Sequence, residues 1–380
     1  MRQSQALHQR VRAFAKRWLP VAPPASFGHA EQALQSDFDA LALEIARYQA
    51  RWCAGQERLQ RSAGSEIHSA ADLPALPVDA FRYARVAVHP DSEDAARFST
   101  SGTTGDAVGV HALGELSTYR ELAVAFGRRA LLGPMPLPVS VVALTAPFRP
   151  ARESSLAFMN ECFMEAFDGR RLDGRPGPWD PLEAGRWLVN ADGIDVDRLR
   201  WASGIARARA EPLLLLGTAL SLAALVEAMG GKQLPLPRGS TVMQTGGFKA
   251  RKVRLSAEEL VVAVARTLAI PERSIIGEYG MTELGSQLYE IRGCYRPPPW
   301  LRVSAVDPVS HARLRPGCVG LARFVDLANV DSALAILTQD QIVERKGGVL
   351  LLGRAPGAPP RGCSLGVEQL WQRPGADMVP

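Results

Sequence analysis

The amino-acid sequence predicts an α/β protein: a large domain of mostly parallel sheet flanked by helices, followed by a small β subdomain. Three observations predict it. From residue 95 onward, short β-branched or apolar runs alternate with longer stretches of helical periodicity, which is the order of crossover-connected parallel strands. Beyond Trp300 the pattern changes to short segments separated by turn residues, which describes an antiparallel subdomain without a long helix. Residues 1 to about 70 carry helical spacing of apolar side chains, as a separate N-terminal layer does.

The helical layer is read over residues 1–75, from positions such as Phe38, Leu41, Leu43, Ile45 and Tyr48, and it ends at the proline-punctuated stretch Leu73-Pro74-Ala75-Leu76-Pro77-Val78. The α/β core occupies residues 76–300, with strands expected at Val139–Leu144, Leu213–Leu216, Thr241–Met243 and Ser274–Tyr279. Gly320–Val325 and Ala333–Thr338 represent the β subdomain of residues 301–352. Residues 353–380 form a C-terminal segment whose opening, Gly353 to Cys363, is rich in proline and glycine and reads as a linker or an ordered crossing loop.

Composition excludes several classes. With 380 residues, 47% hydrophobic and 22% charged, the chain can bury a large core and needs neither disulfides nor metal staples. The net charge of +5 comes from dispersed arginines and selects no partner by itself. Five cysteines, Cys53, Cys162, Cys294, Cys318 and Cys363, lie far apart with no Cys-x-x-Cys pair, so a disulfide framework or zinc ribbon is not expected and a reducing cytoplasm is. The N-terminus lacks the apolar core of a signal peptide. The longest apolar run, Leu213 to Val226, is broken at Gly217-Thr218 and is shorter than the roughly 20 residues of a membrane span, so strand, turn and helix are expected there.

The most informative local feature is Ser99-Thr100-Ser101-Gly102-Thr103-Thr104-Gly105. Following a short strand, it lets backbone N–H groups and hydroxyls converge on an anion with little Cβ obstruction. It is neither a Walker A loop nor a dinucleotide loop, because no Gly-Lys-Ser/Thr and no Gly-x-Gly-x-x-Gly is present. The same composition also serves as a plain polar connection, and composition alone does not choose.

The loop resembles the phosphate loop of the adenylate-forming (ANL) superfamily of acyl-CoA synthetases, luciferases and peptide-synthetase adenylation domains. Other segments resemble that family in the same order: Thr245-Gly246-Gly247, then Glu278-Tyr279-Gly280-Met281-Thr282-Glu283, then Thr338-Gln339-Asp340, where the family has Thr-Gly-Asp, and finally Gly353-Arg354. The resemblance implies ATP and Mg²⁺ as cofactors and a carboxylic acid as substrate. It implies that Gly246, Gly247, Tyr279, Asp340 and Arg354 bind the AMP moiety, with Tyr279 packed on adenine and Asp340 on the ribose hydroxyls. Thr282 would contact the α-phosphate and Glu283 would help hold the metal. These roles suit the side chains: an aromatic face takes a flat base, and carboxylates take a hard cation or a diol.

Ordinary members continue well past Gly-Arg into a mobile domain that brings a lysine to the adenylate. Here the sequence ends at Pro380, so the resemblance implies a truncated C-terminal domain without that lysine. The nearer resemblance is to the LuxE-like acyl-protein synthetase family. It is carried by Leu215-Leu216-Gly217-Thr218-Ala219, Gln244-Thr245-Gly246-Gly247-Phe248-Lys249 and Leu352-Gly353-Arg354-Ala355 through Pro360-Arg361-Gly362-Cys363-Ser364-Leu365. It implies transfer of a fatty acyl group from AMP to Cys363 and onward to a partner, either an acyl reductase or an acyl carrier protein. Arg354 and Arg361 lie near Cys363 in sequence, a helix beginning at Ser364 would place it at a positive end, and both lower a thiol pKa. If flexible, residues 353–362 span roughly 15 to 20 Å, enough to visit a nearby pocket.

Lys249 leads the densest basic run, with Arg251, Lys252 and Arg254, and can neutralise phosphate or carboxylate charge that the missing lysine would otherwise face. His111 could line the pocket, although a lone histidine more often serves structure. Phe148, Phe158, Met159 and Phe163 are candidates for lining an acid pocket. Two rival readings stand beside acyl-protein synthesis. One is ligation of the acid to coenzyme A or an acyl carrier protein, with Cys363 structural. The other is a non-catalytic nucleotide- or RNA-binding protein, for which no aromatic-basic RNA motif speaks; no nucleic-acid partner is expected.

Overall fold

The apolar runs between residues 140 and 279 become parallel strands because each is long enough to cross a sheet, and Ser140–Leu144 and Leu213–Thr218, buried at every position, are covered on both faces. The computed structural model describes residues 2–21, 29–62, 66–100, 108–148, 154–175, 179–182, 184–191, 193–246 and 255–357. In chain order the helices are α1 (Arg2–Trp18), α2 (His29–Trp52), α3 (Ala54–Ser62), α4 (Ala80–Tyr83), α5 (Ser117–Gly127), α6 (Ser155–Phe167), α7 (Val196–Ala208), α8 (Ala219–Met229) and α9 (Ala257–Leu268). The strands are β1 (Leu76–Pro77), β2 (Ala96–Ser99), β3 (Val110–Leu113), β4 (Ser140–Leu144), β5 (Val189–Asn190), β6 (Gly193–Ile194), β7 (Leu213–Thr218), β8 (Thr241–Thr245), β9 (Ile275–Tyr279), β10 (Leu288–Ile291), β11 (Cys294–Arg296), β12 (Leu301–Val306), β13 (Val319–Asp326), β14 (Ala335–Arg345) and β15 (Gly348–Arg354).

Packing groups these elements into two compact units. One combines the described residues up to 126 with those from 280; the other is made from residues 127–279. Compactness thus joins the N-terminal helices to the later β segment, a grouping that the linear segmentation of the sequence does not draw.

In the second unit β4, β7, β8 and β9 run parallel in that order, with Val142 opposite Leu215, Leu215 opposite Val242 and Val242 opposite Ile275. Val142, Leu144, Leu213, Leu215 and Val242 pack on Leu199 and Ala202 of α7, Leu222 and Leu225 of α8, and Leu260 and Val264 of α9. Burying each of these larger side chains contributes about 2 kcal/mol. The helices start where their sequences provide caps: Asp195 accepts from the Arg198 N–H, and Thr218–Ser221 and Ser256–Glu259 form capping boxes.

Strand β7 passes into α8 without a separate turn, unlike the strand, turn and helix read from the sequence. Thr218 is the last strand residue and the helix cap at once. Gly217 permits this, because a Cβ there would meet Leu222 Cγ at 3.0 Å.

The first unit holds the antiparallel β segment in the order β12-β13-β14-β15-β11-β10, and β1 adds to it in parallel with Leu76 opposite Ile336. Gly320 is required where β12 and β13 approach, since a Cβ would sit 2.6 Å from the Val306 carbonyl oxygen. Helices α1 and α2 pack together through Phe14 and Phe38, whose rings meet edge to face at 6.2 Å. As expected from the sequence, no helix follows Trp300 among the described residues. None of the described helices is long and apolar enough to cross a membrane.

Leu215 sits at the middle of the parallel sheet and is fully buried. Leu215→Ala is expected to lower the unfolding free energy by about 3 kcal/mol, read as a shifted urea midpoint.

Candidate active site

The Ser/Thr/Gly loop is carried by a two-stranded hairpin. Strand β2 pairs antiparallel with β3, placing Phe98 opposite His111 and Ser99 opposite Val110. One step further, Thr100 and Gly109 bond reciprocally: the Thr100 N–H donates to the Gly109 carbonyl at 2.8 Å, and the Gly109 N–H donates to Thr100 Oγ1 at 2.9 Å. The ends of the loop are therefore fixed by a closed pair. Thr100 is buried and Ser99 half-buried, while Ser101, Gly102, Thr103, Thr104 and Gly105 lie outside the described residues.

His111 ties this hairpin to the Tyr-Gly-Met-Thr-Glu segment. Its ring, 1% exposed, meets the edge of Phe81 and lies 2.8 Å through Nδ1 from the Thr282 carbonyl oxygen and 2.7 Å through Nε2 from Ser332 Oγ. A carbonyl only accepts, so Nδ1 carries the proton and Nε2 accepts from the serine hydroxyl. Burial pushes the imidazole down to about 4, so the ring is neutral at physiological pH and keeps this one tautomer. His111 thus acts as a tie between two motif segments.

The neighbouring carbonyl is held in the same way. Asn329 Nδ2 donates to the Glu283 carbonyl at 2.9 Å and to the Ala333 carbonyl at 3.0 Å. The Glu283 residue is buried, and Gly285 two positions later lets the chain pass Ala328, where a Cβ would come within 2.7 Å. Thr282 is half-buried.

The loop that supplies Asn329 and Ser332 is itself clamped by α1 and α2. Gln49 donates to the Asn329 and Val330 carbonyls at 2.6 and 3.0 Å and accepts from the Leu334 N–H at 3.1 Å. His8 bridges Thr118 and Asp331, each at 2.9 Å, and Ser4 donates to Asp331 at 2.7 Å. Burial works against charge on Asp331, but the His8 and Ser4 hydrogen bonds outweigh it and keep the carboxyl below its usual range.

Asp340 and Arg354 are brought together as cross-strand partners of β14 and β15, with Oδ1 and Nη1 3.7 Å apart. Gln339, which stands where the family pattern has glycine, is the hub: its Oε1 accepts from Arg354 Nη2 at 2.8 Å and its Nε2 donates to Asp79 at 3.1 Å. The sequence marked Asp340 and Arg354 but not the side chain that orients Arg354.

In the second unit the remaining motif residues end two parallel strands. Thr245 on β8 stands opposite Glu278 on β9, so Gly246 and Tyr279 are the next residues along neighbouring strands. Gly246 has φ of 71°, the left-handed region glycine favours. Thr245 Oγ1 donates to Glu278 Oε2 inside the protein, and burial pushes the Glu278 carboxyl up to about 7 against that hydroxyl's pull. Cross-strand pairing also places Thr218 of β7 opposite Thr245. Nearby, Asn160 of α6 donates to Thr145 at 3.1 Å, and Phe148 packs on Phe158 with ring centres 5.3 Å apart. Gly247, Lys249 and Cys363 lie outside the described residues.

No protein-family model matches the chain, and no curated protein matches it. Solved structures do. A 2-hydroxyisobutyryl-CoA ligase in complex with 2-HIB-AMP and CoA, in its thioesterification state, matches with a TM-score of 0.59 at 15% identity, over 87% of this chain and 72% of that one. An open conformation of the same ligase matches with a TM-score of 0.57 at 14% identity, over 86% and 76%. ATP-bound MatB from Rhodopseudomonas palustris matches with a TM-score of 0.45 at 15% identity, over 70% of this chain and 49% of MatB, so the chain spans about half that protein's length. The chain has the mixed α/β fold of the 2-hydroxyisobutyryl-CoA ligase.

A carboxyl raised from 4.5 to about 7 by burial favours the protein below pH 4.5 and loses that contribution as pH rises through 7. Glu278→Gln, which keeps the shape without the charge, is expected to gain stability over the parent as pH rises from 5 to 8. The gain is on the order of 3 kcal/mol, read as diverging unfolding midpoints.

Proposed function

We propose that the protein activates a carboxylic acid, of the fatty acid class, as an acyl-adenylate at the expense of ATP, and passes the acyl group to Cys363 and then to a partner. The observation that carries this reading is the His111 tie. Strand β3, which pairs with the strand leading into the Ser/Thr/Gly loop, is joined to the segment bearing Thr282 and Glu283 by the buried His111, and this supports reading the two motifs as parts of one phosphate-binding site.

In this reading a carboxylate oxygen attacks the α-phosphorus of ATP and pyrophosphate leaves. The Cys363 thiolate then attacks the acyl carbonyl, AMP leaves with the bonding electrons, and the protein carries a thioester. Residues 99–105 and Thr282 hold the phosphates, Gly246, Gly247 and Tyr279 the adenine, and Asp340 and Arg354 the ribose side. Lys249 would stabilise negative charge developing near the acyl phosphate.

Glu283 offers a hard oxygen donor for Mg²⁺, which takes one or two carboxylates and completes its shell with water and phosphates. Bound there, the cation would neutralise phosphate charge. The final acceptor is a reductase that makes aldehyde or an acyl carrier protein.

The test is acid-dependent pyrophosphate exchange together with ATP-dependent labelling of the protein by a clickable acid. Cys363→Ser is expected to lose the label and keep the exchange; equal labelling of that variant sinks the cysteine step. His111→Ala is expected to lower kcat for exchange by about a hundredfold, with a smaller change in KM for the acid, because it frees the Thr282 carbonyl without removing a group that touches substrate.

A second reading, ligation of the acid to coenzyme A, is favoured by the fold shared with a CoA ligase. Undiminished thioester formation on CoA by Cys363→Ala would select it.

A further inference from the structure

Strands β7 and β8 end at Thr218 and Thr245, level with Glu278, the last residue but one of β9; the three are successive register partners and therefore share one face of the sheet. Glu278 is the acidic member of this row and is 4% exposed. Its sequence neighbours are Gly277, buried, and Tyr279, half-buried; its cross-strand neighbour Thr245 precedes Gly246. A carboxyl in this position joins the ends of the two strands that carry Gly246 and Tyr279.

We propose that Glu278 is a proton-controlled positioning residue for the nucleotide. When neutral and paired with Thr245, it holds Gly246 and Tyr279 at the spacing the adenine occupies; when ionised, it gives that spacing up. This rests on the reading of Gly246 and Tyr279 as the adenine side.

The physical reason is a shortage of donors among the described residues. An ionised carboxylate needs several hydrogen-bond donors when it is out of water, and the hydroxyl of Thr245 is one. A neutral carboxyl carries no charge to solvate and needs fewer donors, one of its oxygens accepting from the Thr245 hydroxyl. Ionisation therefore draws in water or parts the strand ends, and either outcome moves Tyr279, which is bonded directly to Glu278.

The titration falls where this matters. Burial is the larger influence on Glu278, raising it to about 7, and the Thr245 hydroxyl opposes it. No charged side chain among the described residues, from β8 beside it or from the helices packed on the sheet, is a further influence. The neutral form is the competent one, so nucleotide affinity is highest below pH 7 and declines above it.

The experiment measures AMP affinity by calorimetry between about pH 6 and pH 8.5 in the full-length protein and in Glu278→Gln. The phosphate ionisation of AMP enters both proteins equally, so the ratio of their affinities isolates Glu278. The expected result is that the parent loses about tenfold against Glu278→Gln one unit above the Glu278 pKa, because only the neutral fraction binds.

A second measurement needs no variant: the Glu278 carboxyl, followed by ¹³C NMR in the parent, must titrate at higher pH when AMP is bound. A constant affinity ratio across the range, or a titration unmoved by AMP, overturns the proposal while leaving acid-dependent pyrophosphate exchange untouched. Absence of AMP binding at every pH overturns the adenine reading and this proposal with it.

Discussion

Backbone carbonyls cannot be buried without a donor, and this constraint organises the first unit. The segments 281–285 and 327–334 lie outside the strand ladders, so their carbonyls are met one at a time, some by backbone N–H groups, as Val88 meets Asp331 and Leu284 meets Met281, and others by side chains. His111 meets Thr282, Asn329 meets Glu283 and Ala333, and Gln49 meets Asn329 and Val330. His111 and Gln49 reach in from elements far away in sequence, whereas Asn329 bonds Ala333 within its own loop. The result is a relay in which α2 fixes a loop, the loop fixes a turn, and the turn presents the residues read as chemical.

The second unit solves the same problem with a regular ladder. Its strands meet one another through regular parallel pairing, and polar side chains gather at their C-terminal ends. Thr218 spends its hydroxyl on a helix cap, Thr145 on Asn160, and Thr245 on Glu278. Ligands of open α/β sheets bind beyond these ends, so a buried carboxyl there is close to whatever the sheet presents.

Much of this was legible in sequence because it follows from local pattern. Periodicity located β4, β7, β8 and β9, and the change of pattern after Trp300 marked the antiparallel segment. Asp340 and Arg354, both implied as AMP-binding by the motifs they belong to, are cross-strand partners, a meeting that the sequence did not show because residues 353–363 read as a linker or crossing loop. What pattern could not supply was partnership at long range. Nothing local links Gln49 to the carbonyls of residues 329 and 330, or His111 to Thr282, since those bonds exist only after the tertiary fold does.

Gln339 and Glu278 were visible but mute. Each stands inside a recognisable motif at a position the motif does not define, and its meaning depends on a cross-strand neighbour. A charged residue closing the apolar run Ile275-Ile276-Gly277 was the available signal for Glu278; its burial, rather than its presence, was the missing fact. The joining of residues 1–126 to the later β segment was equally hidden, because composition carries no information about which distant segments share a core.

The reciprocal pair of Thr100 and Gly109 has an evolutionary reading. It continues the hairpin ladder past Ser99 and Val110 and closes it, so the register of β2 and β3 is set without help from the residues in between. The cost of closing a loop also grows only slowly with its length. The constraint on this stretch of sequence thus falls first on Thr100 and Gly109, the two residues that make the pair.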